Sequence, residues 1–192
     1  MIDIPALLLL ISEWNDPADG EAEKSRELCD SLLRETPAPL SRSQFTPGHI
    51  TGTACILHPS LNAVLLVHHR KLDRWLLPGG HVEAGLDTHV AETARREAQE
   101  EAGVQIDLVI PPRLVGIDVH GIPGRKKEPF HLHHDLIFSF RAVSEEFLAS
   151  EEVRGLVWCA LNNFDQYDLP APIRRAVLRS LARMSLESAK PV

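Results

Sequence analysis

Nothing in the chain restricts its fold and chemistry as tightly as the run Arg96-Glu97-Ala98-Gln99-Glu100-Glu101-Ala102-Gly103-Val104. Glu97, Glu100 and Glu101 fall at relative positions 0, 3 and 4, which share one face of a helix. Three carboxylates on one face repel one another unless a cation sits among them. A hard divalent ion such as Mg²⁺ takes oxygen ligands of this kind and often holds phosphate oxygens as well. Arg96 stands where it can pair with one of the carboxylates and fix it. On a generic helix the same string would be a solvated charged face, so the residues around it decide between the two readings.

Just upstream, Leu76-Leu77-Pro78-Gly79-Gly80-His81-Val82-Glu83 reads as a short apolar strand that breaks into a Pro-Gly-Gly turn. Glycine reaches backbone conformations closed to other residues and lets a ligand or another chain segment come close. A carbonyl of Gly79 or Gly80 can then face the same ion as the glutamates. The spacing predicts a helix from about Thr88 to Ala102, with Asp87 or Thr88 as its N-cap. Gly103 is a natural residue to end it.

This strand, turn and helix resemble the signature of the Nudix hydrolases, Gx5Ex7REUxEExGU, in which U is a bulky aliphatic residue. Gly80 matches the first glycine, and Arg96, Glu97, Glu100, Glu101, Gly103 and Val104 match the second half. Ala98 fills the first U position with a smaller side chain. Two departures stand out. Leu86 occupies the place of the family's first Glu, and the interval from Gly80 to Arg96 is two residues longer than the pattern. Asp87, Glu83 and Glu92 are the candidates to supply the displaced carboxylate.

The resemblance implies an α/β fold, the Nudix α/β/α sandwich with a mixed β-sheet, over residues 49 to about 186. It implies attack of water on a diphosphate linked to another moiety. Mg²⁺ or Mn²⁺ would be held by Glu97, Glu100 and Glu101 with the Gly80 carbonyl, and Glu97 or Glu101 would also orient or deprotonate the water. The segment from His68 to His81, of form HHRKLxxWLxPGGH, is similar to that of a bacterial subgroup of the family. A Nudix-fold module that binds a nucleotide without turnover is the alternative, favoured by Leu86 and the lengthened interval. An isoprenoid diphosphate isomerase ranks below both, since no cysteine stands in a catalytic context.

The rest of the chain fits that frame. Residues 1–45 read as an N-terminal extension of two helices and a Pro- and Ser-bearing linker, with the catalytic domain at 46–192. The apolar run Ala6–Ile11 is too short to span a membrane and reads as a helix docking onto the core. The second helix, roughly Glu21 to Arg34, puts Leu28 and Leu32 on one side. Strands are predicted at Ile50–Leu57, Ala63–His68, Trp75–Leu77, Leu108–Val119, His131–Val143 and Val153–Cys159, and a last helix at Pro172–Leu186.

A net charge of −7 argues against a nucleic-acid polymer or an anionic membrane as partner, but not against a small diphosphate, since a bound metal inverts the local field. Cys29, Cys55 and Cys159 are odd in number and lack metal spacing. They read as buried thiols in a reducing cytoplasm. The substrate candidates are His81 beside the glycine turn, Arg70 and Arg74 in the hairpin, His133 on a strand with His131, and Glu152 as a further carboxylate from a later loop. Arg125-Lys126-Lys127 is either a solvated loop or a phosphate-contacting lid. The N-terminal helices could serve as the arm of a homodimer.

Overall fold

The computed structural model describes residues 1–60, 62–125 and 128–188, with side chains through residue 183. Lys126 and Lys127 of the basic loop lie outside the described residues. Two N-terminal helices, α1 (Ile4–Glu13) and α2 (Gly20–Glu35), precede the strands β1 (Gly48–Leu57), β2 (Ala63–His69), β3 (Arg74–Leu76) and β4 (Gly79–His81). The box helix α3 (Val90–Ala102) follows, then β5 (Arg113–Ile122), β6 (His131–Arg141), β7 (Val153–Ala160), a 3₁₀ turn at Leu161–Tyr167 and α4 (Ala171–Ser188).

The strands form one mixed seven-stranded sheet in the order β3-β2-β1-β6-β5, with β4 on β1 and β7 on β2. Among the described residues only β1 and β6 run parallel, from Gly48 beside Leu132 to Leu57 beside Arg141. All ten residues of β1 are buried, so β1 is the central strand and its alternate residues feed two cores. Ile50, Ala54 and Ile56 join α1, α2 and α3 on one face. Cys55 and Leu57 join the 3₁₀ turn and α4 on the other. Helices on both sides of a mixed sheet make the expected α/β/α sandwich.

Close helix–sheet contact at β1 depends on Gly52. A Cβ there would lie 2.7 Å from the carbonyl oxygen of Val90, closer than any carbon side chain is tolerated.

Three local expectations are corrected. Leu28 is 48 % exposed, because the buried stripe of α2 runs through Ala22, Ser25, Cys29, Leu32 and Leu33, one step around the helix. The strand expected from Leu108 starts only at Arg113, after Pro111 and Pro112, which have no N–H for a ladder. The strand expected to run on to Val143 stops at Arg141. The three cysteines are buried and unpaired, as read.

The extension is fastened to the other end of the chain by charge. Asp19 is 6 % exposed, caps α2 through Ala22 N–H, and accepts Arg179 Nη2 at 2.5 Å. Arg179 Nε reaches Asp16 at 2.6 Å, its guanidinium lies 5.5 Å from the Trp14 ring, and Arg175 Nη2 donates to Glu21 at 2.8 Å. Burial works against charge on Asp19, but Arg179, the Ala22 N–H and Arg175 hold its carboxyl below the usual range. Removing Arg179 would leave that carboxylate buried and half-paired. Arg179→Ala should therefore cost about 2–4 kcal/mol in urea unfolding. A loss under about 0.5 kcal/mol, the size of an exposed pair, would show that the clasp does not stabilise the fold.

Candidate active site

The box helix presents its carboxylates toward the Pro-Gly-Gly turn because β4 is pinned antiparallel to β1, with Thr51 opposite His81, Gly52 opposite Gly80 and Thr53 opposite Gly79. A Cβ on Gly80 would fall 2.6 Å from the Glu97 carboxylate, so glycine is required for this approach. Glu101, 3 % exposed, accepts the Gly79 N–H at 3.2 Å through Oε2. At the helix end Gly103 adopts the left-handed conformation (φ 57°) and closes the last turn on Gln99.

Arg96 ties these parts together. Its Nη1 donates at 3.0 Å to both Glu97 and Glu100. Its Nε and Nη2 reach the two oxygens of Asp87 at 3.2 Å each, and Nη2 also donates to the His81 carbonyl at 2.8 Å. Of the three candidates for the displaced acid, Asp87 is the one that meets Arg96 in this way. It is 3 % exposed and also accepts Glu83 N–H at 2.8 Å and Thr93 Oγ1 at 2.9 Å. Burial opposes its charge, but Arg96 and these donors hold its carboxyl below the usual range. Glu92 instead accepts the N–H and Oγ1 of Thr88, and Leu86 is 64 % exposed. The helix starts two residues later than expected, at Val90, with His89 at the N-cap position and no side-chain cap. Asp87 and Thr88, the expected caps, serve Arg96 and Glu92.

The electrostatics leave the other carboxylates short of positive charge. Burial raises Glu97 even with Arg96 beside it. Burial pushes Glu101 up to about 8, opposed by the Gly79 N–H and reinforced by the charges of Glu97, Glu152 and Glu100. The charge of Glu152 is thus felt by both Glu97 and Glu101. It sits in a loop that Ser150 N–H ties to the Glu101 carbonyl at 3.1 Å. Arg70 anchors the same loop, with Nε on the Glu151 carbonyl at 2.8 Å and Nη2 on that of Val153 at 3.3 Å. Oxygen donors with surplus negative charge are the set a hard divalent cation fits.

The other substrate candidates separate. Arg74 is exposed on the edge strand β3, opposite His69. His81 and His133 lie together, their ring centroids 5.1 Å apart. Sequence reasoning did not single out His49, buried on β1 directly beside His133, because that adjacency exists only once the β1–β6 register is known. Among the described residues no helix is long and apolar enough to cross a membrane.

An α/β/α sandwich with a carboxylate-bearing helix behind a glycine turn is the architecture that the resemblance to the Nudix hydrolases implies. The family model for the NUDIX domain matches residues 48–181, and the chain belongs to that family and is a pyrophosphohydrolase of the Nudix type. It is 31 % identical over 108 residues to the nucleoside triphosphatase NudI of Escherichia fergusonii, covering 54 % of this chain and 74 % of the relative. In fold it is similar to the E. coli dihydroneopterin triphosphate pyrophosphohydrolase, with a TM-score of 0.54 and 19 % identity over 70 % of this chain and 95 % of that one. A C. elegans Ap4A hydrolase gives a TM-score of 0.50 at 17 % identity over 71 % and 97 % of the two chains.

Two outcomes are expected. Glu101 carries a native pKa of about 8 against an ordinary 4.5, so the folded state prefers the proton. Its burial is harmless below about pH 4.5, and the metal-free protein loses stability as pH rises from there toward 8. Added Mg²⁺ should raise Tm more at pH 8.5 than at pH 5.5, and Glu101→Gln should abolish that difference. Equal shifts at both pH values would separate Glu101 from the cation. Asp87→Asn should lower kcat at least about tenfold through a displaced Arg96, while Leu86→Glu, on an exposed side chain, should change it less than about threefold. The reverse order would return the family role to position 86.

Proposed function

We propose that the chain hydrolyses a nucleoside diphosphate derivative, a nucleoside triphosphate included, with Mg²⁺ or Mn²⁺ at Glu97, Glu100 and Glu101 and a carbonyl of the Gly79-Gly80 turn. The observation that carries this reading is half-buried Glu97 and buried Glu101 facing a glycine turn, with Arg96 on Glu97 as their one ion-pair partner among the described residues. The similarity to NudI supports the nucleotide class. Placement in the cytoplasm fits three free thiols. Exposed Leu9 and Leu28 on α1 and α2 offer a homodimer its surface.

When bound, the divalent ion neutralises diphosphate charge and acidifies a water. The chain's own residues do the rest. Arg96 fixes the Glu97 and Glu100 carboxylates. Gly79 N–H occupies Glu101 Oε2, which leaves Oε1 to accept or orient the proton of the attacking water. Glu152 brings a further carboxylate, positioned by Arg70 through the loop backbone. Arg74, exposed on β3, would meet the distal part of the substrate. Phosphoryl chemistry asks mainly for such positioning. The occupied Asp87–Arg96 pair argues for turnover over the binding-module alternative, because it supplies the carboxylate that Leu86 lacks.

Phosphate release from nucleoside triphosphates, ADP-ribose, dinucleoside polyphosphates and nucleotide sugars tests the reading. One class should turn over with Mg²⁺ or Mn²⁺, and Glu100→Gln and Glu101→Gln should each lower kcat by about 100-fold or more with the fold intact. Full activity in both variants would remove the carboxylates from the mechanism.

A further inference from the structure

One face of the sheet carries a second cluster that the hydrolytic site does not use. In β1 and β6 the parallel register sets His49 beside His133, and His131 follows two residues earlier on the same face of β6. The ring centroid of His49 lies 5.2 Å from that of His131 and 5.0 Å from that of His133, and His131 and His133 are 5.2 Å apart. One ring nitrogen from each of the three lies within 4.8 Å of the others. His81 closes the group from β4, 5.0 Å from His49 and 5.1 Å from His133.

We propose that His49, His131 and His133 bind a transition-metal ion of the zinc class through their ring nitrogens, with His81 beside the fourth position. The tautomers argue for it. His49 Nδ1–H donates to the Gln44 carbonyl at 3.0 Å, and His131 Nδ1–H donates to the Pro129 carbonyl at 2.8 Å. Each bond leaves Nε2 with a free lone pair and fixes the ring, which is the outer-shell arrangement of a metal-binding histidine. His49 is fully buried, and its Nε2 has no hydrogen-bond partner. A buried polar atom without a partner needs an explanation, and a bound ion is one.

Imidazole coordinates metal in its neutral form, through the nitrogen that its N–H bond leaves free. Imidazole nitrogens select zinc, copper or nickel over Mg²⁺. Bonds of about 2.1 Å at tetrahedral angles place nitrogens about 3.4 Å apart, so the ion would draw these rings slightly together. His120 stands outside the three whose nitrogens lie within 4.8 Å of one another, its ring centroid 5.8 Å from that of His133. His133 and His81 are half-buried and give the ion its way in.

The test uses tag-free, full-length protein with Zn²⁺, and Co²⁺ as a spectroscopic probe. Titration should give one zinc per chain in the unaltered protein and in Glu101→Gln. The Kd should rise at least about tenfold in His133→Ala and in His131→Gln, with far-UV circular dichroism unchanged. X-ray absorption at the zinc edge of the unaltered chain should show a nitrogen shell with imidazole scattering, a readout that needs no variant to fold. An oxygen shell, no zinc in the unaltered chain, loss of zinc in Glu101→Gln, or full binding in both histidine variants would overturn the proposal. None of these readouts depends on hydrolysis.

Discussion

A single guanidinium organises the catalytic end of this protein. Arg96 directs its donors at two residues on its own helix, at Asp87 in the loop before that helix, and at the carbonyl of His81 on β4. Helix, loop and strand therefore share one counter-charge. A lone cation cannot balance all the carboxylates around it, and the deficit falls on Glu97 and Glu101, the two that burial already disfavours as anions. Charge imbalance of this kind is costly to a fold and useful to a site that must attract a divalent ion. Gly80 makes the arrangement possible by leaving Glu97 the volume a side chain would occupy.

The sheet divides its labour by residue parity. One set of β1 positions packs the core beneath α1, α2 and α3. The other set carries His49 and Thr51 at one end and Cys55 and Leu57 at the other, over α4. Thr51 donates to Asp135 across the parallel pair, which confirms that both project from that same face. His81 belongs to both functional regions. Its carbonyl is held by Arg96, while its ring stacks into the histidine cluster. A ligand that moves this ring acts on a strand three hydrogen-bonded positions long.

What could be read from the residues followed their range of interaction. The glycine turn, the box helix and its stop at Gly103, and the existence of the β1, β2 and β6 strands depend on neighbours a few positions away, and all were legible. The carboxylate for Arg96 was legible only as a set of three. Motif spacing counts along the chain, whereas the longer loop lets Asp87 rather than residue 86 turn inward. Leu28 looked buried because its helix carries apolar side chains on more than one line, and only packing against the sheet chooses between them. His49 was invisible as a partner of His133 because 84 residues separate them, and no local pattern encodes a parallel register. The proline pair before β5 was legible in principle, since two missing donors should have delayed the strand.

The charged clasp between the ends of the fold has a consequence for how the molecule is made. Asp16, Asp19 and Glu21 are synthesised early, and their partners Arg175 and Arg179 are among the last residues of the fold to leave the ribosome. β1 is likewise without its parallel neighbour until β6 has been translated. Until then α2 has a buried-type aspartate with no cation, and β1 has an unpaired edge of the sort that chaperones recognise. The nascent chain therefore cannot settle piece by piece from its N-terminus. α2 and β1 gain these partners only once β6 and α4 have been made, so the first part of the fold waits on the last.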